Sequence, residues 1–277
     1  MSTVPAASPP PSPPRRASLD AVLTHAWSSA EFTATDAIAA TGLTRSTAID
    51  AMATLADLGL LRELPNAREA GAYRKGRPAR RFELRGDAAV LVGVDVGNAH
   101  ITARVADLRS VPLSTRRVEL EPDRDDAPTR ARLIVRAVDD ALETAGRTRA
   151  DVLSLCAGVP APVDAHGRSP RSHDSFWGRM NPGLIDALGW APLVRIDNDA
   201  SLAALAEGTS GSAVGCRNYI TLLAGARLGA GVVIDGHLLR GTHGGVGEMR
   251  AFDHVTGVGT ANGVGAMAAR WAAEAIA

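Results

Sequence analysis

Two constellations in the chain hold residue types that could do chemistry. The first is Asp197-Asn198-Asp199, which follows the run Leu193–Ile196. A strand ending in these side chains can offer donors and bidentate acceptors to vicinal hydroxyls, which is the chemistry of carbohydrate binding. The same residues can cap a helix predicted over Ser201–Glu207, and from these residues alone the capping reading is preferred. The second is a run of arginines. Between Arg62 and Arg85 eight basic residues face three acidic ones, although Lys+Arg and Asp+Glu total 30 each over the whole chain. The overall neutrality argues against a uniformly cationic surface, but this local surplus of five fits a phosphate backbone. A solvated charged face is the bland alternative.

The elements around the arginine run favour DNA contact. Ser18 is placed to cap a first helix carrying Leu19, Val22, Leu23 and Ala26. Thr33 or Thr35 can cap a second, which stops at Gly42. Thr44 can cap a third, whose predicted apolar face is Ala48, Ile49, Met52, Leu55 and Leu58. Ala40–Thr44 then reads as the turn of a helix-turn-helix, with Leu43 plugging the core. Thr44, Arg45, Ser46 and Thr47 stand at the end of the third helix that would meet base edges in a major groove. Gly76-Arg77-Pro78 reads as the tip of a hairpin that returns through Arg81–Leu84. That places Arg74, Lys75, Arg77 and Arg80 on a wing, with Arg77 entering a minor groove and its neighbours meeting phosphates.

Residues 1–17 hold six prolines and predict an extended tail. Residues 18–86 form the expected DNA-binding domain and residues 87–277 an α/β domain. Its strands are expected at Ala89–Asp95, Ile101–Asp107, Leu113–Leu120, Val152–Ala157, Leu193–Ile196, Tyr219–Ala224 and Gly231–Asp235. A helix over Thr129–Thr144 should turn Ile134, Ala137, Val138, Ala141 and Leu142 inward, and a last helix spans Val264–Ile276. Cys156 and Cys216 lie in apolar stretches without ligand-spaced partners, which argues against a disulfide framework or a cysteine zinc site. No stretch approaches the ~20 apolar residues of a bilayer span, and the amino terminus lacks an apolar signal core. A cytoplasmic, nucleoid-associated protein without a membrane partner is expected.

Five segments in order resemble the ROK family of repressors and sugar kinases. They are Gly93-Val94-Asp95-Val96-Gly97, Gly158-Val159-Pro160-Ala161-Pro162-Val163-Asp164, Asp197-Asn198-Asp199-Ala200, Gly225-Ala226-Arg227-Leu228-Gly229-Ala230-Gly231, and Gly241-Thr242-His243-Gly244-Gly245-Val246-Gly247-Glu248. The resemblance implies an actin/hexokinase-like (ribonuclease H-like) domain behind a winged helix-turn-helix. It implies sugar binding by Asn198, Asp199, His243 and Glu248, with Asp199 at the position of the kinase base. Asp95, Gly97, Gly225 and Gly229 are then remnants of the two phosphate motifs.

The chain departs from the family pattern at several points. Asn98-Ala99 replaces the usual Gly-Thr, and Ala226 and Arg227 stand where the second phosphate motif has Thr and Gly. Arg227 would project where ATP phosphates approach. No cysteine follows Glu248, so the family's zinc cluster is expected to be absent, and with Ala226 and Arg227 in the second phosphate motif ATP and Mg²⁺ are not expected either. The segment after Glu248 is shorter than the family's, which predicts a truncated or remodelled second lobe.

The function expected is a non-enzymatic transcriptional regulator, a repressor of carbohydrate genes. It would bind a double-stranded operator as a homodimer or higher homo-oligomer and take a sugar or sugar phosphate as effector. The alternatives are an ATP-dependent hexose kinase, or a regulator that has lost ligand sensing.

Overall fold

The computed structural model describes residues 14–65, 79–121, 124–170, 175–249, 252, 254–257 and 260–276. The proline-rich stretch 1–13 and the predicted hairpin tip, with Arg74, Lys75 and Arg77, lie outside the described residues. The chain divides into two compact units: residues 1–89 with 107–109, and the remainder.

In the first unit, α1 (Pro14–Ser28), β1 (Phe32–Thr33), α2 (Ala34–Thr41) and α3 (Arg45–Asp57) precede β2 (Leu61–Leu64) and β3 (Arg81–Leu84). The strands form an antiparallel sheet in the order β1-β3-β2. Local chemistry sets the helix ends. Thr33 and Asp36 make a reciprocal capping box at α2, and Thr44 accepts from the Thr47 amide at α3. Gly42 ends α2 in the left-handed region at φ 68°, which a side chain would strain. Leu43 packs against a core of Val22, Ala26, Phe32, Ala37, Ala51, Met52, Leu55, Leu61, Phe82 and Leu84.

Two local expectations change. Pro14 opens α1, as proline suits a first turn, so Ser18 lies inside the helix and is buried rather than capping it. The buried stripe of α3 is Ala48, Ala51, Met52 and Leu55, with i, i+3, i+4, i+7 spacing. Ile49 falls off that stripe and Leu58 is the C-cap, and they are 42% and 64% exposed.

The second unit contains a five-stranded sheet. Its strands are β4 (Val90–Val96), β5 (His100–Asp107), β6 (Pro112–Glu119), β7 (Val152–Val159) and β8 (Leu193–Asn198), in the order β6-β5-β4-β7-β8. Period-2 patterning buries Val90, Val92, Val94 and Val96 of β4 on one face and leaves Asp95 on the other. Helix α4 (Ala127–Thr144), capped by Asp126, packs on β4 and β6. It buries all five residues expected inward, each large aliphatic side chain worth about 1.5–3 kcal/mol relative to exposure. Two short helices, α5 (Ser175–Met180) and α6 (Leu184–Ala187), were not legible in the sequence. They have too few turns to show a period.

Helix α7 (Asp199–Ser210) follows β8 directly. It packs against β9 (Tyr219–Ala224) and β10 (Leu228–Ile234), which with β11 (His237–Leu239) form an antiparallel sheet in the order β11-β10-β9. The last helix is α8 (Val264–Ile276). No described helix is long and apolar enough to cross a membrane.

Candidate functional site

Parallel pairing brings three strand ends to one edge. Asp95 of β4 stands opposite Gly158 of β7, and Val159 opposite Asn198 of β8. The carboxyl ends of parallel strands are where α/β sheets bind ligands. Asp95 holds His100, whose Nε2 lies 2.8 Å from Asp95 Oδ2. The His100 ring covers Gly97, so a Cβ at Gly97 would meet it.

The Gly97-Asn98 loop is gripped from inside the protein. Arg130, with a fully buried side chain, donates to the carbonyls of Gly97 at 2.7 Å and Asn98 at 3.1 Å. Its Nε pairs with Asp125 Oδ2 at 2.6 Å. Arg179 donates to Asp125 Oδ1 at 3.0 Å and to Asn98 Oδ1 at 3.2 Å. Burial pushes the Asp125 carboxyl up, but the guanidinium groups of Arg130 and Arg179 hold it below the ordinary value. Sequence reasoning missed this triad. The available signal was Arg130 on the same helical stripe as Ile134, Ala137 and Ala141.

Asn198 is the N-cap of α7. Its Oδ1 accepts from the Ser201 amide at 3.0 Å, and its Nδ2 donates to the Ala161 carbonyl at 3.3 Å. The helix-capping reading of this residue is therefore the one its hydrogen bonds express. Asp199 begins α7 and accepts from the Ala200 amide at 2.7 Å. Burial first, and then the charges of Asp95 and Glu248, push the Asp199 carboxyl up to about 6 against that hydrogen bond. Asp95, Asp199 and Glu248, far apart in sequence, thus share one electrostatic neighbourhood.

The loop carrying His243 and Glu248 is anchored at three points. Arg240 pairs with Asp197, which also accepts from Arg195 at 3.0 Å and is only 3% exposed. Gly244, at φ 71°, approaches so closely that a Cβ would collide with the Val163 carbonyl. The Ala230 amide donates to the Gly247 carbonyl at 3.1 Å, and Glu248 bridges Gly229. His243 is exposed on this loop, and among the described residues no hydrogen bond joins it to Asn198 or Asp199.

The second glycine-rich segment is the turn from β9 to β10. The Gly225 carbonyl accepts from the Gly265 amide and the Ala226 carbonyl from the Gly263 amide, each at 3.1 Å. Gly229 pairs with Leu223 inside the β9–β10 ladder. The Arg227 guanidinium lies 6.0 Å from the centre of the Phe176 ring, and Arg179 lies 5.6 Å from the same ring. Among the described residues no group of three His, Cys, Asp or Glu side chains is arranged to hold a metal.

In the first unit, Arg45 and Ser46 are exposed at the start of α3. The Thr44 hydroxyl is committed to the cap, lying 2.8 Å from Thr47 Oγ1 and 3.2 Å from Ser46 Oγ. Arg80 does not stand free. It forks onto Glu63, with Nε 2.6 Å from Oε1, and stacks 5.3 Å from the Phe82 ring centre.

Comparison with known proteins fits this arrangement. The family model described as ROK family matches residues 91–255. A glucokinase of Streptomyces coelicolor is 31% identical over 166 residues, covering 59% of this chain and 49% of its own length. A xylose repressor of Bacillus spizizenii is 23% identical over 209 residues, covering 76% of this chain and 53% of its own length. The chain therefore spans about half the length of the curated relatives it matches. The crystal structure of a ROK family transcriptional regulator, a homologue of the E. coli MLC protein, superposes with a TM-score of 0.64 at 18% identity. That match covers 94% of this chain and 68% of the other, and it shows a shared fold. Because the family model matches residues 91–255, more than half of the chain, the chain belongs to the ROK family.

Proposed function

We propose that the protein is a DNA-binding transcriptional regulator whose ROK domain binds a sugar or sugar phosphate and does not phosphorylate it. The observation that carries this reading is the helical unit ahead of the ROK domain. The order α1-β1-α2-α3-β2-β3, with Thr33 and Thr44 capping α2 and α3 on either side of the Gly42 turn, supports a winged-helix reading. The similarity to the glucokinase covers 59% of the chain, whereas that to the xylose repressor covers 76%. The effector would act by binding the DNA-bound and free forms with different affinity, since a ligand without that difference shifts nothing.

Arg45→Ala is expected to weaken operator binding at fixed salt by about tenfold, the loss of one good base or phosphate contact. An unchanged gel-shift midpoint would refute the role of α3. Asn198→Ala is expected to abolish the sugar response while leaving DNA affinity intact. A titration in which the response survives would remove Asn198 from the ligand site.

The kinase reading has its own support. Asp199 titrates near 6, a suitable value for accepting a hydroxyl proton at neutral pH. Against it stand Ala226 and Arg227 in the turn that would cradle phosphates. Turnover in a coupled ATP assay over a hexose panel would decide for the kinase.

A further inference from the structure

We infer that Glu63 limits the DNA affinity of the hairpin by holding Arg80, so that Arg80 reaches phosphate only in exchange for a carboxylate. The inference rests on the DNA-binding reading and deepens it. The arginine surplus of this region does not present itself as bare charge. Arg62 donates to Glu83 at 2.8 Å from the directly opposite position across β2 and β3. Arg81 meets both carboxylate oxygens of Glu31 at 3.0 Å. Arg80 forks onto Glu63, and this pair sits at the loop end of the hairpin: Glu63 is the penultimate residue of β2, and Arg80 immediately precedes β3.

Three properties make the Arg80–Glu63 pair the one that matters. The Phe82 ring under the guanidinium restricts its plane, so the fork is already oriented. A two-pronged guanidinium fits a phosphate as well as it fits a carboxylate. The pair is open to solvent, Arg80 at 68% and Glu63 at 43%, so it adds little to stability and can be exchanged at small cost. What the pair does strongly is cancel charge where a phosphate contact would form. Each such contact adds about 0.9 to the slope of log affinity against log salt.

The test is binding of a fluorescein-labelled duplex of arbitrary sequence to the full chain across a potassium chloride series. Glu63→Gln is expected to tighten binding about tenfold at low salt and to steepen the salt slope by about one. In an Arg80→Gln background the same substitution should gain much less, because the guanidinium it releases is gone. Equal gains in both backgrounds would overturn the inference, since Glu63 would then act only as a bare negative charge. Unchanged affinity and slope, with the wild-type chain binding duplex, would also overturn it. Failure of the wild-type chain and every variant to bind duplex at low salt would instead bring down the DNA-binding reading and the inference with it.

Discussion

Arg130→Met is expected to destabilise the ROK domain by about 3–5 kcal/mol in urea unfolding of the full chain at neutral pH. The size follows from geometry. The Arg130 side chain is fully buried and its partner Asp125 nearly so. Removing one partner of a buried pair strands the other charge, and here Arg179 alone would remain on Asp125. The partly buried Gly97 and Asn98 carbonyls would lose their guanidinium donors at the same time, which adds to the loss. Asp125 also fixes a pH signature. Its carboxyl is held below the ordinary value, so the stability it contributes is present above the unfolded pKa and is lost as pH falls through the folded one. Arg130→Met should therefore flatten the acid-side decline. A double variant with Asp125→Leu should recover part of the loss, because it removes the stranded carboxylate, while Arg179 keeps its contact with Asn98 but loses its carboxylate partner. A single variant that loses under about 1 kcal/mol would show that Arg130 does not hold the Gly97-Asn98 loop.

Asp199→Asn should do the opposite and stabilise the protein near neutral pH. The fold raises this carboxyl from 3.8 to about 6, so it favours the neutral form. A raised carboxyl contributes stability that is complete below the unfolded value and is lost as pH rises through the folded one, here between about pH 4 and 6. Above that window the folded state carries a half-buried charge beside Asp95 and Glu248. Asparagine keeps the acceptor for the Ala200 amide and removes the charge. The expected gain is of order 1–3 kcal/mol above pH 7, vanishing below pH 4. Melting temperatures across that range measure it, and a gain independent of pH would show that the charge is not the cause. The same substitution should remove the sugar response if the site binds hydroxyls through this carboxylate. Strain of this kind, relieved at the expense of function, marks ligand sites.

The caps at Thr33 and Thr44, the stop at Gly42, the inward stripe of α4 and the strands on either side of it were all legible in the sequence. Each is a local rule. Capping depends on atoms three residues apart, and periodicity records which face of one element is buried. The family motifs were legible for a similar reason, since their glycines and carboxylates lie in contiguous runs that a single strand end presents together.

What the tertiary structure alone decided was pairing over distance. Helical spacing could not say that Ile49 would be left exposed, because that depends on where α1, α2 and β2 lie against α3. A count of charges could not say that Arg80 faces Glu63, or that Arg130 is fully buried while Arg45 is exposed. Nor could it bring Asp95, Asp199 and Glu248 into one field that raises the Asp199 carboxyl to about 6. The sequence by itself determined the longer elements, their order and the family, because those follow from short-range sterics and burial, whereas the short α5 and α6 escaped it. Which charges are compensated, which are strained and which remain available to a ligand was decided only by strand order and register, through electrostatic interactions that act across space and not along the chain.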